Sequence, residues 1–345
     1  MAARRRKIRN WSRLDDVALL NLRFCDLGLR IAGTPLEDRI ERLWAELEQK
    51  GIGFRPHCWL AEEWFSPDGI PGIAIPFYLV HSRLARLEER QMFAIEGWSE
   101  SSCMQLLRHE AGHAIDTAYQ LHARPDWRRM FGRWSKRYPE WYRPNPRSRK
   151  HVQHLDWWYA QSHPAEDFAE TFAVWLRPQK QWRTQYRGWP ALRKLEYVDE
   201  LMKSLDGRRV VRRSRRHFES VSASRQTLGE YYRRKRRFYG VNVREVYDAD
   251  LRRLFPEQPA RSRKRRRSAA AFLKRNQAEL CRICARGTGE SPYVIAQFVQ
   301  EMIQRCRKMK LRLVRPEHEA RMDLAVFITA RALNWLNEGR HRITV

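Results

Sequence analysis

Residues Arg108–Tyr119 read RHEAGHAIDTAY, and no other stretch constrains the fold as tightly. On a helix, residues four apart share a face, so His109 and His113 can reach one metal ion together. Glu110 sits on the same turn, where a carboxylate can take the proton of an attacking water. HExxH also arises by chance, so its flanks decide. Ser99 or Ser101 can cap a helix here, and Met104, Leu107, Ala111, Ala114 and Ala118 form an apolar stripe. The pattern predicts a buried helix that holds zinc; the plain alternative is a helix with two packed or exposed histidines. Gly112 in mid-helix costs about 1 kcal/mol relative to alanine, which predicts close approach by another backbone.

A structural zinc is closed by four protein ligands, whereas a catalytic one keeps a position open for water. One further ligand is therefore sought, and Tyr159–Leu176 (YAQSHPAEDFAETFAVWL) offers it. Pro164 suits a first helical turn, and Phe168, Phe172 and Trp175 make an apolar row. Glu166 and Glu170, four apart, share a face at the polar start of this otherwise buried helix. Glu166 can ligate the ion while Glu170 accepts the outward ring N–H of a ligand histidine, for which we favour His109. Solvent-facing acids favoured by the helix N-terminus are the ordinary alternative. His163 could cap this helix or approach the site, and His151 and His154 are other possible third ligands. Asp116 occupies the position three beyond His113, where an extended HExxHxxH pattern would carry histidine. It reads instead as an acid supporting the ligands or packing the helix.

The HEAGH and HPAEDFAETFA pair resembles the gluzincin metallopeptidases, specifically a bacterial zinc-binding group among them. The resemblance covers roughly residues 35–240, and its specific motifs are the two metal helices. It implies an α+β, zincin-like domain with a small sheet bearing an edge strand beside the HExxH helix. It also implies zinc-dependent hydrolysis of peptide bonds by one catalytic ion on His109, His113 and Glu166. Glu110 would be the general base and Glu170 the support of the first histidine. The EDFAE stretch is similar to the corresponding helix of the anthrax lethal factor catalytic domain. That likeness implies a tyrosine over the metal seven residues before the ligand glutamate, the offset of Tyr159; Tyr119 and Tyr142 compete for the role. His163 is another candidate donor to a developing oxyanion. The loop from His113 to Glu166 has 52 intervening residues, so specificity does not carry over. No Ser or Cys constellation competes for a nucleophilic role.

Upstream, Leu14–Leu29 reads as a helix. Thr34, Pro35 and Glu37 form a capping box before Leu36, Ile40, Leu43 and Leu47, and Gly51 ends that helix. Phe54–Leu60 reads as a strand, Ser66–Gly69 as a turn, and Gly72–His81 as a second strand. Pro76 within it predicts an edge, which either holds extended substrate or is simply a defended sheet margin. Ser82–Ala94 continues as charged helix or turn. Tyr138–Lys150 is too proline-rich for one helix and reads as an aromatic excursion.

Charge matters for the back half. The net +28 divides unevenly: residues 1–200 hold 32 Lys/Arg against 26 Asp/Glu, and residues 201–345 hold 36 against 14. The basic runs at 208–216, 233–237 and 261–267 could meet a polyanion or nucleic acid, with Tyr231, Tyr232, Phe238 and Tyr239 available for stacking. The middle run could equally be a helix laid on acidic surface. We read residues 1–240 as the metallopeptidase domain (core 35–205, basic helical region 206–240), 256–268 as a basic linker, and 269–345 as a small helical domain. Cys281 and Cys284 form a lone CxxC best explained by helix packing. Six cysteines suggest no disulfide framework, no stretch is apolar enough to span a membrane, and the N-terminus is too charged for a signal peptide. These features predict a cytoplasmic setting. The leading function is a zinc metallopeptidase, as an endopeptidase. One alternative is a nucleic-acid-associated metalloprotease like the Spartan/SprT-like group, against which the glutamate helix counts. The other is an inactive metal-binding or interaction protein.

Overall fold

The computed structural model describes residues 10–139, 142, 144–145, 147–178, 181–238, 248–255 and 267–335. Its contacts divide the chain into two units, one of Met1–Leu87 with Ile95–Glu230, the other of Glu88–Ala94 with Tyr231–Ile343. The first is built on the HExxH helix, Glu100–Tyr119. Ser99 starts it, its hydroxyl accepting the Ser102 N–H at 3.1 Å, and a left-handed Gln120 ends it. This helix packs against Pro35–Gln49 and, most extensively, against the glutamate-bearing helix Pro164–Leu176, which Ala191–Lys203 backs in turn. The close crossing expected from Gly112 is present: a Cβ there would lie 2.8 Å from the Ala169 Cα and 3.3 Å from its Cβ.

A buried ion pair ties the helices further. Arg108 donates from Nε and Nη2 to the two carboxylate oxygens of Glu46, each at 2.7 Å, with both residues buried. Removing one member leaves a buried charge behind, which costs more than the intact pair contributes. Because Arg42 also reaches Glu46, at 3.2 Å, the member left stranded is Arg108: Glu46→Leu is expected to lower the unfolding free energy by about 3 kcal/mol in urea titrations, and adding Arg108→Met to restore most of it. An equal or greater loss in the double variant would contradict this.

The Thr34 start of Pro35–Gln49 departs from a capping box. Thr34 caps without a side-chain bond to the helix; its hydroxyl donates to the Ile31 carbonyl, and Glu37 accepts from the Gly33 N–H at 2.6 Å. The helix expected over Leu14–Leu29 is broken into Asp16–Leu20 and Phe24–Leu27. Between them Arg23 bridges Thr227, and the N–H groups of Phe24 and Cys25 donate to Gln226 and Ser224. A partner two hundred residues away thus overrides the local helical pattern.

The sheet is small. Strand β1 (His57–Ala61) pairs in parallel with β2 (Gly72–Pro76), Cys58 opposite Ile73 and Leu60 opposite Ile75. β2 lies against the HExxH helix. The second predicted strand stops at Pro76, after which Phe77–Val80 is a 3-10 turn and Ser82–Met92 a helix. Ala74 exchanges both main-chain bonds with Phe65, so the margin of β2 is already taken at its centre. An extended substrate cannot use that position.

The second unit is helical: Asp248–Leu254, Ala269–Thr288, Pro292–Lys308 and Glu317–Trp335. Its core gathers Phe255, Phe272, Leu280, Phe298, Met302 and Ile328. Cys281 and Cys284 are fully buried in it, and burial pushes the Cys281 thiol up to about 12; they are packing residues. Tyr231 and Tyr232, on the helix Leu228–Phe238, are also buried, so neither offers a face for stacking. Lys235 on the same helix donates to Glu88 at 3.1 Å. Phe238 is exposed, while Tyr239, the linker up to residue 266 and the tip after 335 lie outside the described residues.

Candidate active site

His109 and His113 project from one face of the HExxH helix toward Glu166, on the first turn of the facing helix. The Glu166 Oε2 lies 3.0 Å from His109 Nε2 and 3.2 Å from His113 Nε2, and the two Nε2 atoms are 3.2 Å apart. Among the described residues these three form the one group able to hold a metal ion. A tetrahedral zinc with N and O ligands at about 2.0–2.1 Å spaces its donors about 3.3 Å apart. The triangle matches that spacing. The chemistry of the donors agrees: His109 Nδ1 is bonded to Glu170 Oε1 at 2.9 Å, which turns an Nε2 lone pair toward the centre.

The surroundings hold each donor in place. Glu170 is fully buried, and its Oε2 accepts the Leu155 N–H at 2.9 Å. Burial alone would raise the Glu166 carboxyl, but the two imidazoles outweigh it and hold it well below its ordinary range. Burial would likewise lower His109, and the Glu166 and Glu170 carboxylates outweigh that and hold the ring above its usual value. Glu110 lies beside the triad, buried, with Oε2 lacking any hydrogen-bond partner. Burial raises its carboxyl, and His109 and His113 pull it part of the way back.

Several other predicted residues fall elsewhere. His163 is the cap of the glutamate helix: Nδ1 accepts the Ala165 N–H at 3.1 Å and Nε2 donates to the Lys136 carbonyl at 2.7 Å. Both ring nitrogens are thereby engaged. His154 uses its nitrogens on the Gln105 carbonyl and Arg177, each at 2.8 Å. His151 stands 3.8 Å from Asp167. Asp116 accepts from His122 Nδ1 at 2.6 Å rather than from either ligand. Tyr159 does reach the site, its ring centroid 5.8 Å from that of His109. Burial, then Glu166 and Glu110, push its phenol above the ordinary range, which keeps it a proton donor. Tyr142 packs beside Tyr159 at 6.3 Å.

One residue was not legible in the sequence. Tyr138 donates from Oη to Glu166 Oε1 at 2.8 Å and stacks on His163 at 3.7 Å. It fixes the ligand carboxylate through the oxygen turned away from the histidines. It sits in an irregular, proline-rich stretch with no periodicity, so only the concentration of aromatics there hinted at a role.

Two imidazoles of one helix and a carboxylate of a later helix, with a buried glutamate alongside, define a gluzincin-type zinc metallopeptidase site for metal-assisted hydrolysis of peptide bonds. Residues 102–203, which contain all of it, match the family described as "Putative zinc-binding metallo-peptidase". No curated protein and no solved structure gives a significant match to the chain.

Proposed function

We propose that the protein is an endopeptidase whose Glu110 is the general base and whose Tyr159 donates to the oxyanion. The observation that carries this reading is the buried, unpartnered Glu110 oxygen beside three converging donors. When bound, zinc supplies Lewis-acid chemistry, lowering the pKa of water and polarising a substrate carbonyl. Glu110 takes the water's proton and passes it to the leaving amine. Tyr159 keeps its proton and offers it as a hydrogen bond to developing negative charge. Glu170 orients His109, Tyr138 orients Glu166, and His163 holds the start of the glutamate helix. Asp116 and His122 act together beyond the ligands.

The catalytic reading is tested by metal removal. A phenanthroline-treated sample should lose hydrolysis of a denatured protein substrate and regain it on addition of one equivalent of zinc. Inertness of the zinc-loaded protein toward a broad peptide library would support a metal-binding protein without turnover instead. Glu170→Gln is expected to weaken zinc affinity by roughly 10- to 100-fold, read by competition with a chromogenic chelator; unchanged affinity would refute its role in orienting His109.

A nucleic-acid-associated version of the same enzyme is the second reading, and the unpaired arginines of 208–216 favour it. Retention on a heparin or DNA column that falls steeply with salt would support it. We also propose that residues 269–345 act as a helical domain after a basic linker at 256–268, and that the protein works in the cytoplasm. No helix among the described residues is long and apolar enough to cross a membrane, and all six cysteines are free.

A further inference from the structure

The face of the HExxH helix that carries His113 continues through Thr117 and Gln120, four and seven residues on. At 1.5 Å per residue these lie about 6 and 10 Å further along the axis. There they line an open pocket of about 170 Å³ together with His122, Trp134, Arg212 and the exposed turn residue Asp68. The pocket is built rather than incidental. His122 is fixed between Asp116, at 2.6 Å, and the Trp134 ring, stacked at 4.4 Å and 18°. Arg212 is delivered by its main chain, since the Val211 and Arg212 N–H groups both donate to the Ala118 carbonyl, at 2.8 and 3.0 Å.

Charge gives the pocket a preference. Arg208, Arg209, Arg212, Arg213, Arg215 and Arg216 are all exposed, and none forms an ion pair with a described residue. Asp68 is the lone unpaired carboxylate lining the pocket, and the Asp116 charge is met by His122. Within the lining, the Arg212 guanidinium stands against the single exposed carboxylate of Asp68, and the basic run 208–216 that carries Arg212 holds five further exposed arginines.

We propose that this pocket is a specificity subsite for an acidic side chain of the substrate polypeptide, with Arg212 as the residue that determines the preference. The inference rests on the peptidase reading above and names its substrate class: chains with Asp or Glu within a few residues of the cleaved bond. Neighbouring arginines then receive further acidic residues of the same chain. A single carboxylate side chain suits the pocket's size, and the pocket lies on the helix face that carries the ligand His113, one to two turns from it.

The test uses the full-length, zinc-loaded protein and peptide mixtures with Glu, Gln or Lys fixed at each position around the cut, read by mass spectrometry. Wild type should cleave Glu-containing peptides about five- to tenfold faster than their Gln counterparts at one position, in kcat/KM. That ratio should shrink toward one as salt is raised. Arg212→Glu should erase or invert it while zinc content stays at one per chain, and Arg212→Lys should keep most of it. Cleavage without an acidic preference, or a preference untouched in Arg212→Glu, overturns the subsite alone. Tight binding of a single-stranded oligonucleotide that Arg212→Glu abolishes, with no peptide preference, also overturns it and assigns the run to nucleic acid. No cleavage of any mixture overturns the peptidase reading as well.

Discussion

Replacing Glu110 with Gln is expected to lower kcat by roughly 10²- to 10⁴-fold while zinc remains bound. The side chain keeps its size and its place, so the buried site around it need not rearrange. What is lost is the ability to take a proton. Glu110 makes none of the contacts that close the donor triangle, which separates its contribution from metal binding. Single-turnover kinetics and metal analysis on the same preparation check both halves. Full activity in this variant would remove Glu110 from the role of base, and simultaneous loss of zinc would show that it holds the metal instead.

Gly112→Ala is expected to damage folding and the metal site together. At an unhindered helical position this substitution stabilises by about 1 kcal/mol. Here the new methyl meets the Ala169 backbone at 2.8 Å, and backbone cannot swing aside as a side-chain tip can. The overpacking cost of roughly 1–3 kcal/mol outweighs the gain in propensity. The helices that must separate carry His109 and His113 on one side and Glu166 on the other, so zinc affinity should fall at least tenfold, by the same logic that makes orienting groups matter. Gly287 is the control: a Cβ there meets nothing nearer than 3.8 Å, and Gly287→Ala should be neutral or slightly stabilising. Thermal melts and zinc competition on the two variants decide it. Equal behaviour would mean that the crossing at Ala169 tolerates a methyl group.

The parts of this protein that could be read from its sequence are those where helical period converts spacing into direction. His109 with His113, and Glu166 with Glu170, each lie four apart, and the Glu170 bond to His109 Nδ1 follows once the two helices face each other. Gly112 announced that crossing by being the wrong residue for a helix interior. What stayed hidden depends on contacts with no local signature. Arg108 and Glu46 meet across 62 positions, and Tyr138 reaches Glu166 from a stretch without regular structure. Arg23 is drawn out of a helical pattern by Thr227. His163 could be seen as either cap or site residue, and its two ring bonds place it in the cap. The described residues from Tyr231 onward group with the helical unit, where burial of Tyr231 and Tyr232 uses aromatic surface that composition leaves free for stacking.

Everything proposed for catalysis depends on one ion being held by residues from two helices. Native mass spectrometry of the purified protein and of His113→Ala and Glu166→Gln, each after exposure to one equivalent of zinc, addresses that directly. One zinc per wild-type chain is expected, and little or none on either variant, with folded charge-state distributions throughout. Full zinc occupancy in Glu166→Gln, or a wild-type chain that takes up no zinc, would contradict it.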